Sequence, residues 1–139
     1  MGQKVPPKAN RLGIIDHWDS LWYANSRDYS KNLLEDHKIR AFLKYKLYKA
    51  GVARIIIERK ANIVIAHVYA AKPGLIIGKG GKDVAVIRDA LIREIARPIE
   101  LNVVEENRPE LSAQLVAESM ALQLEKRIAF RRVMRQAVT

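Results

Sequence analysis

Apolar positions recur at helical spacing along residues 33–50, and Gly51 follows as a stop signal. The predicted inner face consists of Ile39, Phe42, Leu43, Leu47 and Ala50. The other faces carry five cations, with no acid between the first and the last: Lys38, Arg40, Lys44, Lys46 and Lys49. The pattern predicts an amphipathic helix whose basic side contacts phosphate, although an anionic membrane surface would also suit it.

Two β-branched runs follow this helix. Residues 52–59 contain three consecutive isoleucines at 55–57, and residues 63–70 form a second run. With the short polar connector 60–62 between them, they predict an antiparallel hairpin. Residues 99–104 alternate apolar and polar side chains after Pro98, which predicts a third strand.

A further helical pattern lies between the second and third strands. Its apolar positions fall at i, i+3, i+7 and i+11: Val84, Ile87, Leu91 and Ile95. They predict a helix over residues 81–96, ended by Pro98. The predicted order is helix, strand, strand, short helix, glycine loop, helix, strand. We therefore predict an α+β fold in which helices cover a small three-stranded mixed sheet.

The sequence Gly78-Lys79-Gly80-Gly81 lies at the start of that second helix. Its glycines allow a positive φ and the close approach of another backbone. Unpaired helix N–H groups and the cations Lys79 and Lys82 would then form a cradle for an anion. The nucleotide-hydrolase loop is excluded because Gly80 stands where Ser or Thr is required, and the dinucleotide fingerprint is absent. A glycine-rich turn that merely links two elements remains an alternative.

A last helical pattern extends from Leu111 to the end of the chain. Its apolar line is Leu115, Met120, Leu124 and Ile128, and every charged residue after Glu125 is basic. Arg127, Arg131 and Arg135 at i, i+4 and i+8 predict one stripe, with Arg132 beside it. These cations exceed what compensation of the helix dipole requires. The pattern has no capping glycine and no packing partner, which predicts the opening of a second domain.

The first thirteen residues carry Lys4, Lys8 and Arg11 and no acid. Pro6-Pro7 predicts an extended basic arm that becomes ordered against phosphate, although a frayed terminus is the common alternative. Four aromatic side chains follow within a dozen residues: Trp18, Trp22, Tyr23 and Tyr29. We interpret them as a packing cluster and not as a platform for bases.

Charge and composition limit the classes of function that the chain can have. The 139 residues include 25 basic and 15 acidic ones, and the formal charge of +10 indicates a polyanionic partner, nucleic acid before membrane. The chain contains no cysteine, and its three histidines lack metal-ligand spacing. Apolar runs of membrane-spanning length and catalytic motifs are absent from the sequence. We expect a soluble intracellular protein that is not an enzyme and has no metal or cofactor.

The order of elements around the glycine loop resembles a type II KH domain, an RNA-binding module. The sequence is also similar to the bacterial-type small-subunit ribosomal protein S-three family along essentially its whole length. The matching stretches are 1–5, 11–14, 18–20, 22–24, 72–81, 109–111, 113–119 and 130–132. Residues 6–10 depart from the family pattern, and the family continues past residue 139 into a carboxyl-terminal domain.

The resemblance implies a ribosomal protein of the small-subunit head, which we expect on the cytoplasmic ribosome, with an organellar ribosome as the alternative. Its implied partners are small-subunit ribosomal RNA, neighbouring head proteins and messenger RNA at the entry channel. We expect a basic arm at 1–16, a KH domain at 17–106 and the opening of an incomplete domain at 107–139. A free-standing KH adaptor and a scaffold whose glycine loop meets protein remain alternatives.

The residues expected to contact RNA lie on the glycine loop, the arm and the first long helix. They are Ile76, Ile77, Gly78, Lys79, Gly80, Gly81, Lys82, Lys4, Lys8, Arg11, Lys44 and Lys49. The residues expected to face the messenger channel are Arg127, Arg131, Arg132 and Arg135.

Overall fold

The computed structural model describes residues 2–60 and 63–138, and of Lys79 it describes the backbone alone. Residues 61 and 62 of the predicted connector lie outside the described part. The α-helices of the described residues are α1 Pro7–Arg11, α2 Ser26–Lys46, α3 Pro73–Ile77, α4 Lys82–Ile95, α5 Ala113–Glu125 and α6 Phe130–Val138. One-turn 3₁₀ helices lie at Tyr48–Ala50, Lys79–Gly81 and Pro109–Leu111.

A mixed sheet forms the centre of the fold, with strand order β1-β2-β3-β4 among the described residues. The strands are β1 Ser20–Leu21, β2 Val52–Lys60, β3 Ile63–Ala70 and β4 Ile99–Glu105. β2 is antiparallel to β3, which confirms the predicted hairpin, and β4 is parallel to β3. The two-residue β1 adds a fourth strand, parallel to β2. The sequence pattern did not predict this strand, because two residues are too few to show an alternation of apolar and polar positions.

The core lies between this sheet and the helices α2 and α4. Ile39 and Leu43 of α2, Ile57 of β2, Ala66 of β3 and Leu91 of α4 are all fully buried. The other residues of the two predicted inner faces are also buried or pack against this core, so the predicted α+β fold is confirmed. The helix predicted over residues 33–50 is α2, which begins earlier, at Ser26, and ends at Lys46 before the 3₁₀ turn Tyr48–Ala50.

A buried polar cluster, the Asp36 cluster, attaches the amino-terminal segment to α2 and β2. Asp36 is fully buried and accepts hydrogen bonds from Ser20 Oγ at 2.9 Å and Trp22 Nε1 at 2.7 Å. Arg59 donates to Asp36 Oδ1 at 2.6 Å and to Glu35 Oε2 at 2.8 Å. Because each charge has an opposite partner and further hydrogen bonds, burial leaves none of these groups unsatisfied.

The amino-terminal segment is not extended throughout, so that prediction is wrong. Pro7 occupies the first turn of α1, where its missing N–H has no helical partner to lose. Of the predicted aromatic cluster, Trp22 and Tyr29 pack with ring centroids 5.5 Å apart. Tyr23 is 92% exposed, so the packing interpretation does not extend to it.

The predicted continuous carboxyl-terminal helix is also wrong, because α5 ends at Glu125. Arg127 takes a left-handed conformation with φ 60°. Its N–H donates to the Leu124 carbonyl at 2.8 Å, and the Ile128 N–H donates to the Gln123 carbonyl at 3.2 Å. This is a Schellman motif without the usual glycine. The end of the helix therefore could not be predicted from a glycine in the sequence.

Helix α5 contacts both β2 and α6, which corrects the expectation that the segment has no packing partner. The side chain of Val133 in α6 is 1% exposed. None of the helices in the described parts of the chain combines the length and the apolar character needed to cross a membrane.

Candidate nucleic-acid interface

The glycine loop is an open surface turn between α3 and α4. Gly78 ends α3 with φ 67°, and Gly80 has φ 68° inside the turn that follows. A Cβ atom placed on Gly78 would lie 2.8 Å from the Asp83 Cβ, whereas one placed on Gly80 would meet no atom within 4 Å. Gly78 is therefore needed for packing against Asp83, while Gly80 leaves its side of the loop accessible to another molecule.

An open groove of about 330 Å³ lies between the first turns of α4 and the outer edge of the sheet. Val84 and Arg88 line it from the first turns of α4, and Leu101 and Asn102 line it from β4. β4 is the last strand of the sheet, so the groove runs along a strand edge. The sequence did not indicate this groove, because residues 84 and 101 come together only where α4 packs against β4 in the fold.

The predicted RNA contacts on the loop and its flanks differ in accessibility. Lys82 is exposed and Ile77 is 43% exposed. Ile76 is 2% exposed and belongs to the hydrophobic core, which corrects its predicted role as a contact. For Lys79 only the backbone position within the turn is described.

Several predicted phosphate-binding cations lie beside acids of the same chain. Lys8 forms an ion pair with Asp19, and Arg11 Nε lies 3.1 Å from Asp16 Oδ2; all four side chains are partly exposed. Lys4 and Lys49 are exposed. Pairing with Asp19 or Asp16 lowers the charge that Lys8 or Arg11 can offer to a phosphate, and the sequence had not shown these pairs.

Lys44 connects α2 to β2 and α5. Its Nζ lies 2.6 Å from Glu118 Oε1 and donates to the Val52 carbonyl at 2.6 Å. Burial alone would raise the pKa of Glu118, but hydrogen bonds from Lys44 and Gln114 and the charge of Lys44 together lower the pKa below its usual value. Lys44 therefore contributes to the docking of α5, which its sequence position on a basic face did not indicate.

The arginines predicted to face the messenger channel lie in two different parts of the structure. Arg131, Arg132 and Arg135 are exposed on α6, where the first and last are one turn apart. Arg127 lies before α6 in the left-handed position that ends α5. The structure therefore corrects the predicted single stripe, and Arg127 is not on the same helix as the other three.

Within residues 2–60 and 63–138, no cluster of three or more His, Asp or Glu side chains could hold a metal ion. His67 Nε2 lies 3.5 Å from Glu58 Oε1 on the sheet.

Comparison with known proteins places these features in a family. A KH domain model matches residues 38–111, from the middle of α2 to the turn before α5. The chain belongs to the KH domain family. Its glycine loop is thus the loop of a KH domain, and α3 and α4 are the helices on either side of it.

The chain is also similar over nearly all its length to curated bacterial proteins. It is 54% identical over 138 residues to the small ribosomal subunit protein uS3 of Desulforamulus reducens, covering 99% of this chain and 62% of that protein. It is 55% identical over 139 residues to the protein of the same name from Pelobacter propionicus, covering 100% and 66%. The predicted resemblance to the S-three family is confirmed, and the chain spans slightly less than two thirds of these relatives.

Proposed function

We propose that this chain is a structural constituent of the small ribosomal subunit and binds ribosomal RNA through its KH domain. The observation that carries the proposal is the open glycine loop, where nothing lies within 4 Å of a Cβ position on Gly80 or Gly81. The names of the relatives, small ribosomal subunit protein uS3, support the ribosomal part of it.

In the proposed mechanism a sugar–phosphate backbone lies against the Gly80 side of the loop. The first N–H groups of α4 and the exposed Lys82 attract the phosphates. Asp83 lies on the Gly78 side of the loop, so its negative charge disfavours that side for an anion. The groove between α4 and β4, which contains both Arg88 and Glu100, can receive the nucleotides beyond the loop.

The segments before and after the KH domain have proposed roles of their own. We assign 1–16 to a basic arm, 17–106 to the KH domain and 107–139 to the start of a further domain, with a location on the cytoplasmic ribosome. Exposed Lys4 and Lys49 would add phosphate contacts. Arg131, Arg132 and Arg135 on α6 would face messenger RNA at the entry channel, beside neighbouring head proteins. We propose no catalytic role.

The loop is tested with the double variant Lys79→Asp, Gly80→Asp. We expect affinity for small-subunit ribosomal RNA to fall about tenfold or more, and the salt dependence of log K to weaken by about 0.7–0.9 for each lost phosphate contact. Filter-binding titrations at several salt concentrations measure both. Thermal unfolding should still show a folded protein, since Gly80 has no neighbour to displace.

The matched control is Ser30→Asp, Lys31→Asp, which makes the same change in charge at two exposed positions early in α2. It should retain most of the affinity. Equal losses in both variants would show that net charge alone holds the RNA, and an unchanged affinity in the loop variant would refute the role of the loop. Cosedimentation with small ribosomal subunits tests the ribosomal part, because a free-standing adaptor would bind RNA without it.

A further inference from the structure

The outer side of α2 carries exposed aromatic rings between cations. Lys38 and Tyr45 are two turns apart on the same side of the helix, away from the buried Ile39 and Leu43. Tyr45 is 80% exposed, and Tyr48 in the following 3₁₀ turn is 42% exposed. We call this surface, made of Lys38, Ala41, Tyr45, Tyr48 and Lys49, the α2 outer face.

The charge on this face is positive. The sequence has no acid from Lys38 to Lys49. Among the described residues no ion pair involves Lys38, Lys46 or Lys49. Exposed tyrosines next to available lysines form a surface on which bases can stack while phosphates are neutralised. A protein partner would suit the tyrosines, but lysine is depleted at protein–protein interfaces.

The α2 outer face ends next to α3, the helix that leads into the glycine loop. The 3₁₀ turn Tyr48–Ala50 contacts α3, and the Lys72 N–H donates to the Ala50 carbonyl at 3.1 Å. α3 leads directly into Gly78, and its five residues span only about 7.5 Å. Leu75 on α3 is 60% exposed. An RNA strand bound at the glycine loop can therefore reach Tyr48 by crossing only α3.

We propose that single-stranded RNA bound at the glycine loop continues across α3 onto the α2 outer face, where its bases stack on Tyr45 and Tyr48. Lys38 and Lys49 neutralise the phosphates of this extension. The inference rests on the proposed function, because it extends the same RNA strand beyond the loop.

The test compares two single-stranded RNAs, one of about four nucleotides, which covers the loop, and one of about twelve, which reaches both surfaces. In the variant Tyr45→Ala, Tyr48→Ala, affinity for the longer RNA should fall about tenfold or more, because loss of stacking weakens binding by about 1–3 kcal/mol per base. Affinity for the shorter RNA should not change. The variant Tyr45→Phe, Tyr48→Phe keeps the rings and should bind the longer RNA like the wild type.

The matched control is Tyr23→Ala. Tyr23 is 92% exposed but precedes α2, about 28 Å or more from Tyr45 along the helix axis. Its removal should leave both affinities unchanged. A second measurement uses Lys38→Gln, Lys49→Gln, which should reduce the salt slope for the longer RNA by about 1.4, since each contact with a single strand contributes about 0.7.

Three outcomes would overturn the inference. An unchanged affinity of the Tyr45→Ala, Tyr48→Ala variant for the longer RNA would show that the rings do not stack. An equal loss for both lengths would indicate a general effect on the fold. Unchanged RNA binding with lost binding of a ribosomal protein would assign the face to protein. A wild-type chain that bound neither RNA would instead refute the proposed function itself.

Discussion

The Asp36 cluster and the glycine loop differ in the exposure and pairing of their charged groups. In the cluster, Asp36 and Arg59 are shielded from solvent, and their ion pair measures 2.6 Å. At the loop, Lys82 is exposed and takes part in no ion pair among the described residues, and Gly80 and Gly81 have no neighbour within 4 Å of a Cβ position. Charge supports the fold where the chain supplies the partner, and it remains available for another molecule where the chain supplies none.

The largest effect is expected from Asp36→Ala. It leaves the guanidinium of Arg59, only 9% exposed, without its main buried partner. The free energy of unfolding should therefore fall by about 3–5 kcal/mol in urea titrations. The control is Asp89→Ala, whose weak contact with Arg88 is half exposed, and which should change stability by at most about 0.5 kcal/mol. Similar results for the two variants would mean that the cluster contributes no more than a surface pair.

A smaller effect is expected from Gly78→Ala. Here φ 67° and ψ −173° suit glycine almost alone, and the new Cβ would lie against Asp83. We expect a loss of about 2 kcal/mol in urea unfolding. Gly80→Ala has open space around it and should lose about 1 kcal/mol, from its left-handed backbone alone. If Gly80→Ala were the more destabilising of the two, the loop would not be open on that side.

Arg127→Gly should increase stability. Arg127 is a non-glycine residue with a positive φ, and glycine removes the steric strain there while gaining entropy in the unfolded chain. The net expected gain is about 0.5–1 kcal/mol in thermal or urea unfolding. The control Lys126→Gly lies at φ −75° and should not stabilise. A stability loss in both variants would show that the Arg127 side chain makes contacts that outweigh its strain.

The smallest effect is expected from Glu118→Gln, which tests an ion pair more exposed than that of Asp36. The folded-state pKa of Glu118 is lowered, so its stabilising contribution is present at neutral pH and is lost as the pH falls through that pKa. At neutral pH the variant should lose about 0.2–1 kcal/mol. Urea unfolding across the acidic range should show the difference from wild type closing on acidification. A difference that grew instead would contradict the assigned direction.

The local sequence pattern was sufficient to predict the helices and strands that are long and periodic. The apolar spacing in α2 and α4 and the β-branched runs of β2 and β3 indicated elements that the structure confirms. The glycines at 78, 80 and 81 indicated a surface turn, because three positive φ values are readily reached only by glycine. These features depend on residues close together in the chain, so they could be predicted without the fold.

Tertiary contacts decided which charged side chains are paired within the chain and which remain available to bind another molecule. Arg59 meets Asp36 across 23 positions of sequence, and Lys44 meets Glu118 across the interface between α2 and α5. The break at Arg127 is local, because it depends on carbonyls of the preceding turn, but no glycine marks it in the sequence. The sequence determined the periodic elements and the positive charge, since both follow from local spacing and composition. Only the fold decided where each charge finds a partner, because ion pairing depends on distances in space that local pattern does not encode.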